Sequence, residues 1–167
     1  MSEKMSARET FDFLNHYLAC MGEVIDIHNG FIDKYIGDAI MALFDEDSSD
    51  SALLAAIAMQ QALIQFNQES VTHGFMAIEI GIGIHRGTVI MGTVGFKSRI
   101  ESTVIGDAVN LASRIEGLTK TYNCSILLTE AVVKNLSYPE NFQLVLVDKA
   151  AKVKGKEFQI PIYTLSE

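Results

Sequence analysis

The stretch from Phe31 to Phe44 constrains the fold more than any other part of the sequence. It reads FIDKYIGDAIMALF, with strand-compatible apolar residues on both sides of Gly37 and Asp38. A two-residue turn that begins with glycine supplies the positive φ of a type II′ hairpin. The sequence therefore predicts a β-hairpin with Lys34 and Asp38 close to its tip. Local spacing fits a solvated turn as well as it fits a functional carboxylate.

Two helices are predicted on either side of this hairpin in the chain. Ser6 and Glu9 have the spacing of a capping box, and a helical stripe of apolar residues follows them. Residues 29–30, an Asn-Gly pair, predict the end of that helix. The alanine-rich segment 52–68 predicts a second helix packed closely on a sheet. The acidic run between hairpin and helix, DEDSSDS, is interpreted as a solvated loop rather than a metal site.

A regular alternation of isoleucine with small or polar residues runs from Met76 to Ile84 and predicts a half-buried strand. Gly81 and Gly83 within it suggest that another backbone approaches closely. His85 continues the register of the glycines, which favours a structural or interface histidine over a catalytic base. Further elements are predicted as strands at 89–94, 100–105, 125–129, 142–147 and from 160, and as helices at 107–122 and 130–136.

The predicted helix 107–122 carries the second chemical pattern. Its apolar stripe leaves Asn110 and Arg114, four residues apart, together on a neighbouring face. A neutral donor beside a guanidinium would suit developing charge on a phosphoryl group. An ordinary polar helix face explains the same pattern, so the spacing leaves both interpretations open.

The charge of the chain restricts its partners. Its 167 residues carry a formal net charge of -8, and this acidic balance disfavours nucleic-acid binding. The charge balance reverses near the end, where four lysines fall within eight residues. They fit either an exposed sheet edge on which lysines prevent aggregation or a contact with phosphate groups. These lysines are Lys149, Lys152, Lys154 and Lys156.

The remaining composition favours one compact intracellular domain over residues 1–167. Cys20 and Cys124 are far apart and lack the spacing of metal ligands, so we expect inert, reduced thiols. No apolar run approaches about 18 residues, so we expect no membrane contact by this segment.

Four segments in this order resemble the catalytic domain of class III nucleotide cyclases: FIDKYIGDAIMALF, GIGIHRG, STVIGDAVNLASRIE and VKGK. The resemblance spans nearly the whole chain. The absence of a GG(D/E)EF motif counts against the related diguanylate cyclases. The resemblance implies an α+β fold with a ferredoxin-like βαββαβ core and an accessory C-terminal subdomain.

The resemblance also implies site roles for the hairpin. Asp38 matches one of the two metal-binding aspartates of the family. Lys34 and Thr103 match the pair that reads the adenine base, whereas guanylate-specific members usually carry Glu and Cys there. The pair therefore favours ATP. Thr103, in place of the commoner Asp, is also similar to the branch that includes bicarbonate-responsive cyclases.

Three further residues match the part of the family site that handles the phosphates. Asn110 and Arg114 match the transition-state residues, and Lys154 matches the lysine that holds the terminal phosphates. The implied reaction is that of an adenylate cyclase, a phosphorus-oxygen lyase that converts ATP into 3′,5′-cyclic AMP and pyrophosphate. The implied cofactors are two Mg²⁺ or Mn²⁺ ions per site.

A head-to-tail homodimer with two sites at its interface is the assembly that the resemblance implies. Asp38 would serve one site, and the other matched residues of the same chain would serve the second. Such domains act in intracellular signal transduction in the cytoplasm, and a parent protein could carry an upstream regulatory domain.

One departure from the family is expected to matter. The first metal aspartate of the family lies in a Phe-x-Asp strand before the first long helix, and this sequence starts at Met1, after that point. We expect that strand and its carboxylate to be missing. Asp33 should point to the face opposite Lys34, and Asp107 should cap a helix, so neither is expected to substitute. A catalytically impaired or inert module for nucleotide binding or dimerisation therefore remains the alternative.

Overall fold

The computed structural model describes residues 6–96, 99–153 and 159–166, with side chains for 6–93, 104–153 and 159–166. The helices are α1 (Ala7–Ile27), α2 (Ser49–Thr72), α3 (Asp107–Tyr122) and α4 (Glu130–Val133), and a 3-10 turn covers Pro139–Asn141. The strands are β1 (Phe31–Ile36), β2 (Ala39–Leu43), β3 (Ile82–Ile84), β4 (Ile90–Phe96), β5 (Arg99–Ile105), β6 (Ile126–Thr129), β7 (Leu144–Ala151) and β8 (Ile160–Leu165).

The strands form one four-stranded sheet and two separate two-stranded units. The sheet has the order β3-β6-β8-β7, with β3 parallel to β6 and the other neighbours antiparallel. The hairpin β1-β2 and the ribbon β4-β5 are both antiparallel pairs. Helices and a mixed sheet thus share one chain, and the predicted α+β class is confirmed.

The hairpin has the predicted two-residue turn. Ile36 pairs with Ala39, so that Gly37 and Asp38 form the connection, and Gly37 has a φ of 65°. Glycine adopts this left-handed conformation without a Cβ clash. The strand register shifts between Ile32 and Lys34, which marks a β-bulge in β1 that the sequence pattern did not indicate.

The strand predicted from Met76 to Ile84 is shorter in the structure. Ile82 is the first residue with a strand partner, because it faces Ile126, where β6 begins. The backbone ahead of it is held by side chains of α2 instead. Asn67 Nδ2 donates to the Ile78 carbonyl at 2.8 Å, and Asn67 Oδ1 accepts from the Ile78 amide at 2.9 Å. Gln60 Nε2 donates to the carbonyl of Ile80 at 3.0 Å.

The predicted close approach at Gly83 is confirmed, and it positions α3. A Cβ on Gly83 would collide with the backbone of Ala112 and Glu116 in α3. Gly81 faces the side chain of Thr119 in the same way. Because Gly83 has no side chain, α3 can lie directly against β3 at this position.

The core consists of three packed clusters, of which one fixes α3 to the sheet. This cluster contains Leu111 and Ile115 of α3 together with Leu127 of β6 and Ile162 of β8. A second cluster joins α2 to β6 and α4, and the third joins α1 to α2 and the hairpin residue Ile40. The sheet thus supports α3 on one part of its surface, while α1 and α2 support the hairpin.

The end of α3 is tied to β7 through Asp148. Tyr122 donates its hydroxyl hydrogen to Asp148 Oδ2 at 2.6 Å, and the Ala150 amide donates to Oδ1 at 2.8 Å. The register of β7 shifts on both sides of Asp148. The Tyr122 hydroxyl, followed by the Ala150 amide, holds the pKa of Asp148 below its usual value of 3.8.

A pH dependence follows from this contact. Because the folded pKa of Asp148 is depressed, the contact stabilises the fold above pH 3.8 and its contribution is lost as the pH falls through the lower folded value. Tyr122→Phe is expected to lower the free energy of unfolding at neutral pH, and its difference from wild type should shrink in acid. Urea unfolding across this range measures the difference. If the difference in the free energy of unfolding between wild type and Tyr122→Phe stayed constant through the acid range, the proposed effect of Tyr122 on Asp148 would be wrong.

Candidate active site

The tip of the hairpin presents Asp38 to solvent next to α1. Asp38 is exposed at the turn, and Tyr17 of α1 is buried. Burial raises the pKa of Tyr17 to about 12, and the negative charge of Asp38 adds to this effect. Tyr17 therefore keeps its proton at neutral pH, with the charge of the Asp38 carboxylate acting on its hydroxyl.

Asp33 does not point away from Lys34, and the expectation that it would is wrong. The Nζ atom of Lys34 lies 3.2 Å from Oδ2 of Asp33. The bulge after Ile32 interrupts the alternation of sides along β1, so the two neighbouring side chains come together. The Asp33 side chain is 4% exposed, whereas that of Lys34 is 37% exposed.

Helix α3 carries Asn110 and Arg114 one turn apart. The four-residue spacing separates their Cα atoms by about 6 Å along the helix axis. Asn110 is exposed and Arg114 is half-buried. The predicted face is therefore present near the start of the helix.

The start of α3 is fixed by a tight contact at Gly106. A Cβ on Gly106 would lie 2.9 Å from the carbonyl oxygen of Thr88. Gly106 is the N-cap, and Asp107 is the first helical residue, so the prediction that Asp107 caps the helix is wrong by one position. Its carboxylate lies instead in the first turn, where the helix dipole favours negative charge.

The ribbon β4-β5 leads directly into α3. Thr103 pairs with Gly92 in this ribbon and lies four residues before Asp107. The Thr103 side chain and the whole of Lys154 lie outside the described residues. Their roles stay predictions.

His85 lies at the end of β3, and its contacts support the structural interpretation. Its Nδ1 atom is 2.9 Å from the Oγ1 atom of Thr129, a buried residue at the end of β6. A Cβ on Gly87 would lie 3.0 Å from His85 Nε2. The imidazole therefore helps to fold the turn after β3 against the sheet.

The candidate residues of the described chain fall into two groups. Lys34 and Asp38 lie on the hairpin that packs against α1, while Asn110 and Arg114 lie on α3, which packs against β3 and β6. Within the described residues, no three His, Cys, Asp or Glu side chains are grouped so as to hold a metal ion. Asp38 thus brings one carboxylate, and the described part of the chain does not complete a metal site around it.

These features can be compared with known proteins. The model of the adenylate and guanylate cyclase catalytic domain family matches residues 1–167. The chain belongs to this family. The cyclase domain is 66% identical over 167 residues to an adenylate cyclase of Anabaena cylindrica, and the match covers 98% of this chain. It covers 33% of that relative, so the cyclase domain spans about a third of its length.

Solved structures give the same family fold. The adenylyl cyclase CyaB from P. aeruginosa has a TM-score of 0.87 at 27% identity, over 99% of this chain and 86% of that chain. The guanylyl cyclase Cya2 has a TM-score of 0.84 at 29% identity, over 98% and 83% of the two chains. Because an adenylyl cyclase and a guanylyl cyclase match the cyclase domain with similar TM-scores, the fold does not select the nucleotide.

Sequence patterns missed the Asp33 contact in the cyclase domain. An Asp-Lys pair in a strand predicts side chains on opposite faces, and the sequence carries no recognisable signal for the bulge.

None of the helices in the described part of the cyclase domain has the length and apolarity that a membrane span requires.

Proposed function

We propose that residues 1–167 form a single adenylate cyclase catalytic domain that converts ATP into 3′,5′-cyclic AMP and pyrophosphate. The observation that carries this proposal is the 66% identity to the Anabaena cylindrica adenylate cyclase over 98% of the chain. We further propose that the product serves intracellular signal transduction and that the reaction takes place in the cytoplasm, where ATP is available.

The reaction joins two parts of one nucleotide. The ribose 3′ hydroxyl gives its proton to solvent water, and its oxygen bonds to the α-phosphorus. The bond from the α-phosphorus to the oxygen that bridges it to the β-phosphorus breaks, and pyrophosphate leaves with the electron pair. Little covalent chemistry is required of the protein, so positioning and charge stabilisation dominate the rate. In this proposal Arg114 donates to the oxygens around the α-phosphorus, and Asn110 orients the ribose.

The hairpin and its neighbours hold the rest of the substrate in this proposal. Lys34 and Thr103 read the adenine base, and Lys154 binds the terminal phosphates and neutralises the leaving pyrophosphate. Two observations support this role for Lys34: its side chain is partly exposed, and its ammonium contacts the Asp33 carboxylate. A lysine ammonium supplies donors alone, which suits the ring-nitrogen acceptors of adenine.

Asp38 is proposed as a ligand of a divalent cation, Mg²⁺ or Mn²⁺. A carboxylate on an exposed turn has the oxygen chemistry that these ions prefer. A two-ion site needs at least a second carboxylate. Among the described residues, no group of three or more His, Cys, Asp or Glu side chains could hold a metal ion. The described residues therefore do not fit the complete two-ion centre, and we derive no step through it.

A homodimer is proposed as the active assembly. In it, Asp38 of one copy serves the site that uses Lys34, Asn110 and Arg114 of the other. The exposed apolar side chains of the ribbon β4-β5 offer a surface for association. They are Ile90, Met91 and Ile105, which are 72%, 59% and 59% exposed.

A catalytically impaired or inert nucleotide-binding module is the second candidate. The incomplete carboxylate set around Asp38 in the described chain favours it. Such a module would bind ATP through Lys34 and produce little or no cyclic AMP. Binding and turnover therefore separate the two candidates.

The deciding experiment replaces Asp38. Purified protein is assayed for cyclic AMP formation from ATP with Mn²⁺, with GTP as the alternative substrate. Asp38→Ala is expected to reduce kcat by about 10²-fold or more, because the cation loses a ligand and the phosphates lose its charge stabilisation. Asp47→Ala, which removes an exposed carboxylate from the loop after β2, is the matched control and should retain activity.

The outcomes distinguish the candidates. Wild-type activity that the Asp38 substitution removes supports the cyclase proposal. Wild-type protein that binds ATP without forming cyclic AMP supports the inert module instead. Equal turnover of wild type and Asp38→Ala would exclude Asp38 as a metal ligand.

A further inference from the structure

We propose that Asp33 is a positioning residue for Lys34 and that it thereby contributes to the preference for ATP over GTP. This inference rests on the proposed function, in which Lys34 reads the base. It adds an acidic residue that contacts the lysine from within the protein. Asp33 itself does not touch the nucleotide in this proposal.

The bulge in β1 brings this pair together. Ile32 pairs with Ala42 and Lys34 pairs with Met41, so that Asp33 has no residue opposite it in β2. A regular strand would place the two side chains on opposite faces. The extra residue turns the Asp33 carboxylate toward the ammonium instead. Bulges commonly redirect side chains next to functional sites.

The burial of Asp33 makes the contact strong. Its side chain is 4% exposed, and Oδ2 has no hydrogen-bond partner of suitable geometry within the described residues. The Lys34 ammonium, 3.2 Å away, supplies its charge compensation there. A buried carboxylate is unfavourable unless it is paired, so the carboxylate holds the ammonium in place.

Lys34 is anchored on one side and accessible on the other. Its side chain is 37% exposed, which leaves room for a ligand to approach. A free lysine has four rotatable bonds that must be ordered when it binds a ligand. The contact with Asp33 already restricts the lysine side chain in the free protein. Less conformational entropy is therefore lost when the nucleotide binds, which favours binding.

The chemistry of the bases explains why position matters for selectivity. The N1 atom of adenine accepts a hydrogen bond, whereas N1 of guanine carries a hydrogen and its acceptor O6 lies at a different place on the ring. An ammonium donates hydrogen bonds and accepts none. A lysine held at one position can therefore favour adenine, while a mobile one can reach O6 of guanine. Thr103, the second residue proposed to read the base, is uncharged. Among Lys34, Thr103 and Asp33, the negative charge is therefore on Asp33.

Asp33→Asn tests the proposal, because it keeps the shape of the side chain and removes its charge. We expect the KM for ATP to rise several-fold with kcat changed by less than about twofold, and the ratio of kcat/KM for ATP to that for GTP to fall about tenfold. Calorimetric titration of ATP and GTP with Mn²⁺ measures the same ratio as binding constants and does not depend on turnover. Asp47→Asn, in the exposed loop after β2, is the matched control.

Two additional variants separate positioning from a structural role. In a Lys34→Ala background, Asp33→Asn should have no further effect on the nucleotide ratio, because the residue it positions is gone. If Asp33→Asn does not fold, Asp33→Glu replaces it. Glu keeps the charge and shifts it by one methylene, so the nucleotide ratio should still fall.

The results overturn the two proposals separately. Folded variants of Asp33 that lose thermal stability but keep the wild-type ATP to GTP ratio would overturn the positioning role and leave the cyclase proposal intact. A wild-type protein that neither binds ATP nor forms cyclic AMP would overturn both. A reduced ratio in Asp33→Asn or Asp33→Glu, with the Asp47 control unchanged, supports the inference.

Discussion

Arg114→Ala is expected to lower the kcat of cyclic AMP formation by about 10²- to 10³-fold, while the KM for ATP changes by less than about threefold. Removing one preorganised donor from a developing oxyanion has effects of this size. The charge that Arg114 stabilises in the proposed reaction develops at the α-phosphorus as the ring closes. Its loss should therefore affect the transition state more than the bound substrate. Steady-state kinetics with Mn²⁺ and varied ATP measure both parameters.

Two substitutions on the same helix serve as controls for Arg114. Arg114→Lys keeps the charge but loses the planar fork of donors, so it should recover only part of the activity. Ser113→Ala changes the exposed neighbouring residue and should leave kcat unchanged. An unchanged kcat in Arg114→Ala would indicate an ordinary polar helix face. A raised KM at constant kcat would indicate a role in substrate binding alone.

Gly83→Ala is expected to destabilise the fold by about 2–3 kcal/mol, near the upper end of typical overpacking effects. The added Cβ would fall on backbone atoms of Ala112 and Glu116. Backbone atoms in the middle of a helix cannot move aside as a flexible side chain can, so β3 or α3 must shift. Urea unfolding monitored by circular dichroism measures the loss.

Gly117→Ala provides the opposite result on the facing helix. Gly117 lies inside α3, and a Cβ there would meet no atom within 4 Å. Alanine favours helix over glycine, so this substitution should stabilise the fold by about 0.5–1 kcal/mol. If both variants unfolded at the wild-type urea concentration, the close contact between β3 and α3 would be wrong.

Local signals predicted the elements whose geometry depends on their own residues. The turn at Gly37 and Asp38 follows from the φ that the first turn residue must adopt, and the structure has it. The capping box of Ser6 and Glu9 is formed on both sides at the start of α1. Helix α3 spans the predicted residues 107–122, so the common face of Asn110 and Arg114 followed from helical periodicity.

Features that depend on pairing with a strand elsewhere in the chain could not be predicted from local sequence. The alternation from Met76 to Ile84 predicts an extended backbone, but it does not reveal whether another strand lies beside it. The structure begins β3 at Ile82, where β6 becomes available. The bulge at Asp33 has a similar origin, because it depends on the pairing of β1 with β2. The sequence alone therefore predicts the wrong face for the Asp33 carboxylate.

The two amide side chains that hold the segment before β3 have a mechanical consequence. Gln60 and Asn67 are seven residues apart on α2, close to two full turns, so both project from one side of that helix. Their side chains form hydrogen bonds with backbone atoms of Ile80 and Ile78. A translation of α2 along its axis would therefore also move the segment that leads into β3. Since β3 lies directly against α3, such a displacement reaches the helix that bears Arg114 through rigid elements rather than through a flexible connection.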